Sequence, residues 1–490
     1  MFIVMIASEC TPVAKVGGLA DVVFGLSREL ETRGNAVEII LPKYDHMRYD
    51  HIWGLCPSYE HLQVPWFNGH IWCTVWFGFV HGRKCFFIDP HSQDQYFNRG
   101  RAYGFDDDVL RFAFFTRAAL EFMRRADKRP DVIHTHDWQT ALTAPLLFEI
   151  YAHAGMANQR VCHTIHNFRH QGVTGEYVLD ATGLGRPEYF FAADRLRDDN
   201  NPFALNLTKG AIVYSNFVTT VSPRHAWEVR TTDQGYGLGH ALHLHHDKFG
   251  GVLNGLDYEE WNPERDPHIP VRYSAQNFDR KYQNKKALRE RFWLADDYKP
   301  VFCYIGRLDA QKGVHLIRHG IVHALAHGAQ FVLLGTSPDP DIQGEFEAVK
   351  AWLNDSPDCH LELRFDAELA HLIYAGSDMM ILPSVYEPCG LTQMIALRYG
   401  TVPVVRSVGG LADSVFDVDY ADLPLEKRNG FVFYQTDNLA LESAMDRAIK
   451  LWNTDPAKFR ELALAGMAYD YSWNAPGNHY LNIYEYIRYK

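Results

Sequence analysis

Residues 1–21 read MFIVMIASECTPVAKVGGLAD. An apolar run over residues 2–7 leads through a turn with Gly17 and Gly18 into a helix-like stretch over residues 19–32. This succession is typical of the first strand and helix of an α/β sheet. Glycines there let backbone N–H groups approach an anion at a helix N-terminus, with Lys15 beside them. A simple strand-to-helix turn fits the same residues equally well.

Similar short apolar runs recur along the chain. They lie at residues 37–41, 86–88, 132–134, 161–165, 217–221, 301–305, 331–334, 361–365, 379–382 and 402–405. Such runs, rich in Val and Ile and bounded by Gly, Pro or Asp, are typical of strands buried on both faces of a parallel sheet. The hexapeptide VGGLAD occurs twice, at residues 16–21 and 408–413, each time where a strand would lead into a helix. Turn chemistry alone also favours Gly-Gly at such a place.

The spacing of the runs breaks at residues 254–271, which are rich in Pro, Asp and Asn, and we place an interdomain hinge there. A chain of 490 residues is also about three times the usual domain length. We predict an α/β protein of two doubly wound, Rossmann-like domains facing across a cleft, at residues 1–255 and 256–470. An aromatic C-terminal helix in residues 471–490 is expected to pack back on the first domain.

Composition excludes several classes of protein. Lys and Arg total 48 against 60 Asp and Glu, a net charge of −12, which disfavours binding to nucleic acid or anionic lipid. We find no apolar stretch of the ~18 residues that a membrane span needs, and no signal peptide. The eight cysteines are scattered without a CxxC pair, which predicts free thiols in a reducing compartment. An anionic substrate would need a local basic cluster.

Two loops of the second half carry such chemistry. Arg307 and Lys312 follow the run at 301–305, and together they could grip a diphosphate, although a solvated basic loop fits too. Residues 383–393, PSVYEPCGLTQ, follow the run at 379–382 and open a helix at Gly390. Glu387 stands just before that helix, where a carboxylate suits a sugar hydroxyl or a transient cation better than a phosphate. It could instead cap the helix.

Histidines mark the first half. HTHDW at 134–138 and HTIHN at 163–167 come at strand ends, where we expect them to line the rim of the cleft and to bind a hydroxyl or a metal. A further patch holds His240, His243, His245 and His246; without cysteines we read it as a polar loop rather than a zinc site. The aromatic content of 14% suits carbohydrate faces, although most of these rings will be core.

Taken together and in this order, these motifs resemble the glycogen and starch synthase family over essentially the whole chain. They are KVGGL at 15–19, HDW at 136–138, TIHN at 164–167, VLNG at 252–255, GRL at 306–308 with QKG at 311–313, EPCGLTQ at 387–393 and GGLAD at 409–413. Val16, where many bacterial members have Thr, resembles the starch synthase III/IV type and related cyanobacterial enzymes. The resemblance implies the GT-B architecture and a retaining, metal-independent glucosyltransferase.

That enzyme would move glucose from ADP-glucose to the non-reducing 4-hydroxyl of an α-1,4-glucan, elongating glycogen or starch, with no cofactor. The resemblance places catalysis on Lys15, His166, Arg307, Lys312 and Glu387. It places donor binding on Gly18, Asn254, Phe365, Cys389, Gly390, Leu391 and Thr392, and glucan binding on Asp21, Asp137 and Trp138. Phe365 stands where the family often has Tyr, which keeps base stacking and loses a hydroxyl.

Other functions stay open from sequence. One is a GT-B transferase that uses UDP-glucose or makes sucrose or trehalose derivatives; another is an inactive glucan-binding scaffold. A dinucleotide dehydrogenase would need a G-x-G-x-x-G turn, which follows none of the predicted strands. The resemblance predicts no metal, no nucleic-acid partner and no membrane partner. It predicts the bacterial cytoplasm, or the plastid stroma for a mature form.

Overall fold

The computed structural model describes residues 1–353 and 355–490. It forms two compact units, the first from Met1–Gly255 with Trp473–Lys490 and the second from Leu256–Ser472. Tyr471 and Ser472, which we expected to begin the C-terminal segment, belong to the second unit. The reason is local pairing: the Leu256 N–H donates to the Tyr471 carbonyl at 2.7 Å, and Leu256 bridges to Ser472.

The first unit is built on a nine-stranded sheet in the order β11-β10-β7-β6-β1-β2-β5-β4-β3, counted over its residues 1–255. The strands from β11 to β5 in this order pair in parallel, and β4 and β3 add an antiparallel edge. Two short strands, β8 and β9, pair separately. The strands are β1 Phe2–Ile6, β2 Ala36–Pro42, β3 Ile52–Trp66, β4 Gly69–Val80, β5 Arg83–Pro90, β6 Val132–His136, β7 Arg160–Ile165, β8 Val173–Thr174, β9 Leu205–Asn206, β10 Phe217–Thr220 and β11 Phe249–Gly251.

Helices connect the parallel strands of this unit. They are α1 Gly18–Thr32, α2 Asp108–Arg125, α3 Thr143–Leu146, α4 Tyr177–Thr182, α5 Pro187–Phe190, α6 Leu207–Tyr214, α7 Pro223–Thr231 and α8 Gly239–Leu244. The helix predicted over residues 19–32 is therefore confirmed as α1. The prediction that the histidine patch is a polar loop is wrong, since His240 and His243 lie on α8.

The second unit has a six-stranded, fully parallel sheet in the order β14-β13-β12-β15-β16-β17, over its described residues. Its strands are β12 Val301–Ile305, β13 Gln330–Leu334, β14 Cys359–Glu362, β15 Met379–Leu382, β16 Val402–Arg406 and β17 Phe431–Phe433. Its helices are α9 Lys281–Phe292, α10 Val314–Ala326, α11 Pro340–Trp352, α12 Ala367–Gly376, α13 Thr392–Arg398, α14 Gly409–Ser414, α15 Asn438–Thr454 and α16 Pro456–Met467. The bounds of the strand predicted at 361–365 are wrong. The structure has β14 at Cys359–Glu362, so Phe365 lies in the loop that follows it.

The C-terminal helix α17, Asn474–Arg488, completes the first unit. Tyr480, Tyr484 and Ile487 are fully buried, and the Tyr484 hydroxyl lies 2.7 Å from His134 Nδ1. The Trp473 indole packs so closely on α1 that a Cβ on Gly25 would lie 2.0 Å from Trp473 Nε1. The aromatic residues of this helix therefore serve its packing.

Two further observations concern the chain as a whole. All eight cysteines are free thiols, and all but Cys56 are buried. Across the described residues, we find no helix that combines the length and hydropathy required to cross a membrane.

Candidate active site

The loop after β12 carries the two cations that the sequence singled out in the second unit. The buried Tyr304 ring ends in a hydroxyl that donates to the Arg307 carbonyl at 2.7 Å, which holds the loop against the strand end. The Arg307 guanidinium is 66% exposed and lies 3.8 Å from Asp309, a loose ion pair. An exposed guanidinium on an anchored backbone is free to bind an anion.

Lys312 is held differently. Asp309 caps the short helical turn that carries it, accepting from the Gln311 N–H at 2.9 Å. The Lys312 ammonium then contacts Glu387 Oε2 at 2.6 Å, and the Ser384 hydroxyl donates to the same oxygen at 2.8 Å. The structure thus brings Lys312 and Glu387, two predicted catalytic residues, into one ion pair at the carboxyl ends of β12 and β15.

Glu387 does not cap the following helix. It is buried, with its side chain 9% exposed, and its partners are Lys312 and Ser384. Leu391 occupies the N-cap position of α13, and no side chain of the described residues caps that helix. The capping alternative is therefore wrong, and the carboxylate is placed by an ion pair instead.

The second VGGLAD hexapeptide supports this loop from behind. A Cβ on Gly409 would lie 2.0 Å from the Glu387 carbonyl oxygen, and one on Gly410 would lie 1.9 Å from the Cys389 carbonyl oxygen. The Gly410 N–H also donates to the Glu387 carbonyl at 3.1 Å. These glycines are needed because the start of α14 packs directly on the backbone that presents Glu387.

The other predicted donor-binding residues of the second unit lie nearby along this chain segment or on the next loop. Cys389 is buried, Gly390 has φ +70°, and Leu391 and Thr392 lead into α13. The Phe365 ring is 84% exposed, beyond the end of β14. An exposed aromatic face at the carboxyl end of a parallel sheet is suited to stack on a base.

In the first unit, Lys15 and Asp21 form an ion pair at 2.7 Å, and the Thr11 hydroxyl donates to the same Asp21 oxygen, also at 2.7 Å. The family resemblance assigns these two residues separate roles, catalysis for Lys15 and glucan binding for Asp21. The turn also differs from an open anion cradle, because the Val16 and Gly17 N–H groups donate to Glu9 Oε2 at 2.6 and 2.8 Å. Gly18 begins α1 directly after this turn.

Asp137 organises the next loop. Its Oδ1 accepts from the His166 N–H at 2.6 Å and from the Asn167 N–H at 3.4 Å, so it positions the His166 backbone. Burial raises the pKa of this carboxyl to about 7, against the pull of those two N–H donors. Asp137 adopts φ +57° and ψ −179°, a conformation that costs a non-glycine residue of order 1–3 kcal/mol.

The remaining histidines of this region do not line a rim. His134, His136 and His163 are fully buried in β6 and β7, which corrects the expectation from sequence. Burial lowers the pKa of His163 and of His166 to about 3, so both rings are neutral at physiological pH. His166 is half-buried and its Nε2 lies 3.1 Å from His136 Nδ1.

Trp138 lines an open cavity of about 550 Å³ within the first unit, together with Phe105, Asp108, Arg169, Tyr236 and others. Aromatic and polar side chains mixed in this way suit sugar rings and their hydroxyls. Asn254, after β11, is buried, and its Oδ1 has no hydrogen-bond partner among the described residues. A buried amide oxygen without a partner is costly unless a ligand supplies the donor.

Sequence reasoning missed four residues that position these groups: Glu9, Tyr304, Asp309 and Ser384. Asp309 had a signal, since Asp before a short turn is a common N-cap. The other three act through contacts that depend on the fold.

Comparison with known proteins agrees with this geometry. A family model described as the starch synthase catalytic domain matches residues 2–244, and one described as glycosyl transferases group 1 matches residues 286–463. A probable glycogen synthase 2 of Nostoc sp. is 64% identical, with 100% of both chains covered. The chain belongs to the glycogen and starch synthase family. Glycogen synthase 2 of Methylococcus capsulatus is 62% identical, with 99% of each covered.

Among solved structures, the catalytic domain of starch synthase IV from Arabidopsis thaliana, bound to ADP and acarbose, is 43% identical with a TM-score of 0.96. It covers 100% of this chain and 99% of its own. The predicted resemblance to glycogen and starch synthases is therefore confirmed, and so is the α/β fold of GT-B type with parallel sheets in two domains. As a member of this family, the chain is a glucosyltransferase of glycogen or starch synthesis.

Proposed function

We propose that this chain transfers glucose from ADP-glucose to the non-reducing 4-hydroxyl of an α-1,4-glucan and retains the α-configuration. The observation that carries the proposal is the Lys312–Glu387 ion pair at 2.6 Å, with Lys312 on the same loop after β12 that carries the exposed Arg307 guanidinium. This arrangement sets a cation suited to a diphosphate and a buried carboxylate suited to a sugar hydroxyl side by side in one loop cluster of an otherwise acidic protein.

Departure of the diphosphate is the step that these cations would assist. Negative charge grows on the diphosphate as its bond to the glucose anomeric carbon breaks. Fixed donors that meet this charge usually supply the largest part of catalysis, about 3–4 kcal/mol for each well-placed donor. Arg307 offers paired N–H donors and Lys312 a point charge, while Leu391 and Thr392 offer backbone N–H groups. In the first unit, Lys15 supplies an ammonium group and Gly18 a backbone N–H group of the same kinds.

The donor's sugar and base have their own proposed partners. Glu387 and Cys389 hold the glucosyl ring, and Phe365 stacks on the adenine with its exposed face. His166, kept neutral by burial, reaches the sugar 6-hydroxyl, and its backbone carbonyl faces the anomeric carbon. Asn254 brings an amide oxygen without a partner, which fits a hydroxyl donor.

For the acceptor we propose the first unit's cavity beside Trp138, with Asp21 and Asp137 as the further glucan residues. A relative of known structure was solved with ADP and acarbose, which accords with a nucleotide and an oligosaccharide as ligands. The structure gives Asp137 a positioning contact as well, because its carboxylate holds the His166 backbone.

Retention needs no dedicated protein base in this scheme. The acceptor hydroxyl enters on the face that the diphosphate leaves and passes its proton to the departing phosphate oxygen. We further propose that the reaction needs no cofactor and no metal ion, that the chain binds neither nucleic acid nor membrane, and that it works in a reducing compartment such as the cytoplasm. Eight free thiols accord with that compartment.

The test measures nucleotide release and glucan growth with ADP-glucose and with UDP-glucose, each with and without maltoheptaose, in the presence of EDTA. We expect ADP release that depends on the primer and matches the glucose incorporated. Equal or better turnover of UDP-glucose would contradict the donor assignment. Glucan binding without release of either nucleotide would support the inactive scaffold instead.

A further inference from the structure

A cluster of three histidines and two carboxylates joins helices α10 and α15 of the second unit. His319, His323 and His327 follow each other at intervals of four residues along α10 and the residue positions just beyond it, so they share one face. Glu442 and Asp446 have the same spacing on α15. Nothing in the proposed reaction uses these five residues.

The side chains already meet across the two helices. His319 Nε2 lies 2.6 Å from Glu442 Oε1, and His323 Nε2 lies 2.7 Å from Asp446 Oδ1. One ring nitrogen of His323, one of His327 and one oxygen of Asp446 all lie within 4.8 Å of one another. Ligand atoms of a tetrahedral zinc ion sit roughly 3.3 Å apart, given bonds of about 2.0–2.1 Å. Small side-chain movements would therefore suffice to close such a site.

We propose that His323, His327 and Asp446 bind a zinc ion between α10 and α15. Two imidazoles and one carboxylate form a donor set that zinc prefers, and the fourth position is left to water. His323 is 8% exposed, whereas His327 and Asp446 are exposed, so the site has a fixed buried ligand and an open side for entry.

Contacts outside the ligand set favour this group over the neighbouring one of His319, His323 and Glu442. His327 Nδ1 donates to the His323 carbonyl at 2.8 Å, which leaves the Nε2 lone pair for a metal. His323 Nδ1 faces Glu442 Oε1 at 4.0 Å while its Nε2 faces Asp446. Metal-binding histidines characteristically direct their second nitrogen to a carbonyl or carboxylate in this way.

The ion would have a structural effect. It would tie α10 to α15, the helix that follows β17, the edge strand of the second sheet. The first residue of α10, Val314, directly follows the turn that carries Lys312 and Gly313. The site is separate from the reaction, so it leaves the proposed metal-independent mechanism unchanged. Zinc binding there would depart from the expectation, drawn from the family resemblance, that the chain holds no metal.

In the experiment, the full chain is first treated with EDTA and dialysed. It is then titrated with zinc chloride alone, and isothermal titration calorimetry measures the binding. We expect one zinc ion per chain, and a thermal unfolding midpoint raised by roughly 3–5 °C at saturating zinc. Cobalt chloride in place of zinc should give the visible absorption bands of tetrahedral Co²⁺.

Variants assign the ligands. His327→Ala and Asp446→Asn change exposed residues, so both should fold, and each should weaken zinc binding more than about 100-fold and remove the cobalt bands. His315→Ala, an exposed histidine one turn before His319 on α10, is the matched control and should bind zinc like the parent. Absence of zinc binding by the parent overturns the proposal, and so does unchanged binding by His327→Ala and Asp446→Asn. Loss in His319→Ala but not in His327→Ala would overturn this choice of ligands.

Discussion

At the residue scale, the second unit holds the two cations that we propose for catalysis, Arg307 and Lys312, by different means. Lys312 is half-buried against a buried carboxylate, so a change there would disturb a structural ion pair as well as the proposed diphosphate contact. Arg307 is largely exposed, and its side chain forms a loose ion pair with Asp309 at 3.8 Å. Exposed ion pairs of this kind contribute little to stability. Arg307 is therefore the residue whose removal best separates catalysis from folding.

We expect Arg307→Ala to lower kcat about 100–1,000-fold, because one fixed donor to the developing diphosphate charge is lost. The thermal unfolding midpoint of Arg307→Ala should stay within about 1 °C of the parent's midpoint, because the exposed guanidinium contributes little to stability. Steady-state ADP release and thermal unfolding measure the two effects. Arg318→Ala, an exposed arginine on α10 paired with Glu345, serves as control and should keep full activity. Near-normal turnover of Arg307→Ala would refute its role.

Asp137 predicts a pH dependence of stability. Burial raises the pKa of this carboxyl to about 7 from an unfolded value near 4, so the folded chain binds the proton more tightly. Its contribution to the free energy of unfolding is complete below pH 4 and is lost as the pH rises to about 7. The Asn side chain of the Asp137→Asn variant does not titrate, so this variant should not lose that free energy of unfolding as the pH rises.

The measurement is urea unfolding of the first unit for both proteins between pH 4.5 and 8. Relative to Asp137→Asn, the parent should lose stability as the pH rises, by on the order of 1 kcal/mol per pH unit and levelling off above pH 7. Parallel stability curves would show that the Asp137 carboxyl titrates normally.

At the scale of elements, the longer buried parallel strands were predictable, whereas the antiparallel edge strands β3 and β4 and the three-residue parallel strands β11 and β17 were not. The runs at 301–305 and 379–382 coincide with β12 and β15, because both faces of these strands are buried. β3 and β4 went unpredicted, and only part of β5 was found. β3 is largely exposed, and its pairing with β4 shifts register between Trp53 and Cys56, between Pro57 and Tyr59, and between Tyr59 and Leu62. Such shifts break the alternation that would reveal a strand.

The α14 turn gives a prediction at this scale. Gly410→Ala would place a Cβ 1.9 Å from the Cys389 carbonyl oxygen, so the loop that carries Glu387 must move. We expect the second unit to lose about 3 kcal/mol of unfolding free energy and the enzyme to lose most of its activity.

Urea denaturation and ADP release measure these losses. Gly344→Ala, inside α11 with open space around its Cβ, is the matched control. It should gain about 0.5–1 kcal/mol and keep its activity. A Gly410→Ala protein with parental stability would show that the two loops do not pack as described.

At the scale of the whole molecule, the first unit depends on chain from both ends of the sequence. Tyr480, Tyr484 and Ile487 of α17 are each fully buried. Burying a large apolar side chain contributes about 1.5–3 kcal/mol. Three of them approach the 5–15 kcal/mol that typically stabilises a folded protein.

A chain that stops after Ser472 should therefore lose the folded first unit and become poorly soluble. The transition of the second unit should persist in thermal unfolding. A chain that stops after Arg488 keeps α17 and removes two exposed residues, so it should match the parent in yield and midpoint. Equal behaviour of the two truncations would contradict the role of α17.

The sequence by itself determined the α/β class, the two-sheet organisation and the family, because buried strands and glycine turns leave local patterns. It also singled out Lys15, Arg307, Lys312 and Glu387. Only the tertiary structure decided their partners: Lys312 with Glu387 and Ser384, Lys15 with Asp21, and the Gly17 turn with Glu9. The same holds for His134, His136 and His163, which are buried in the first unit, and for His319, His323 and His327, which lie beside carboxylates in the second. The Lys312–Glu387 contact joins residues 75 positions apart, which a local pattern cannot record. The other contacts join residues three to eight positions apart, but they depend on the exact conformation of a loop, which tertiary packing decides.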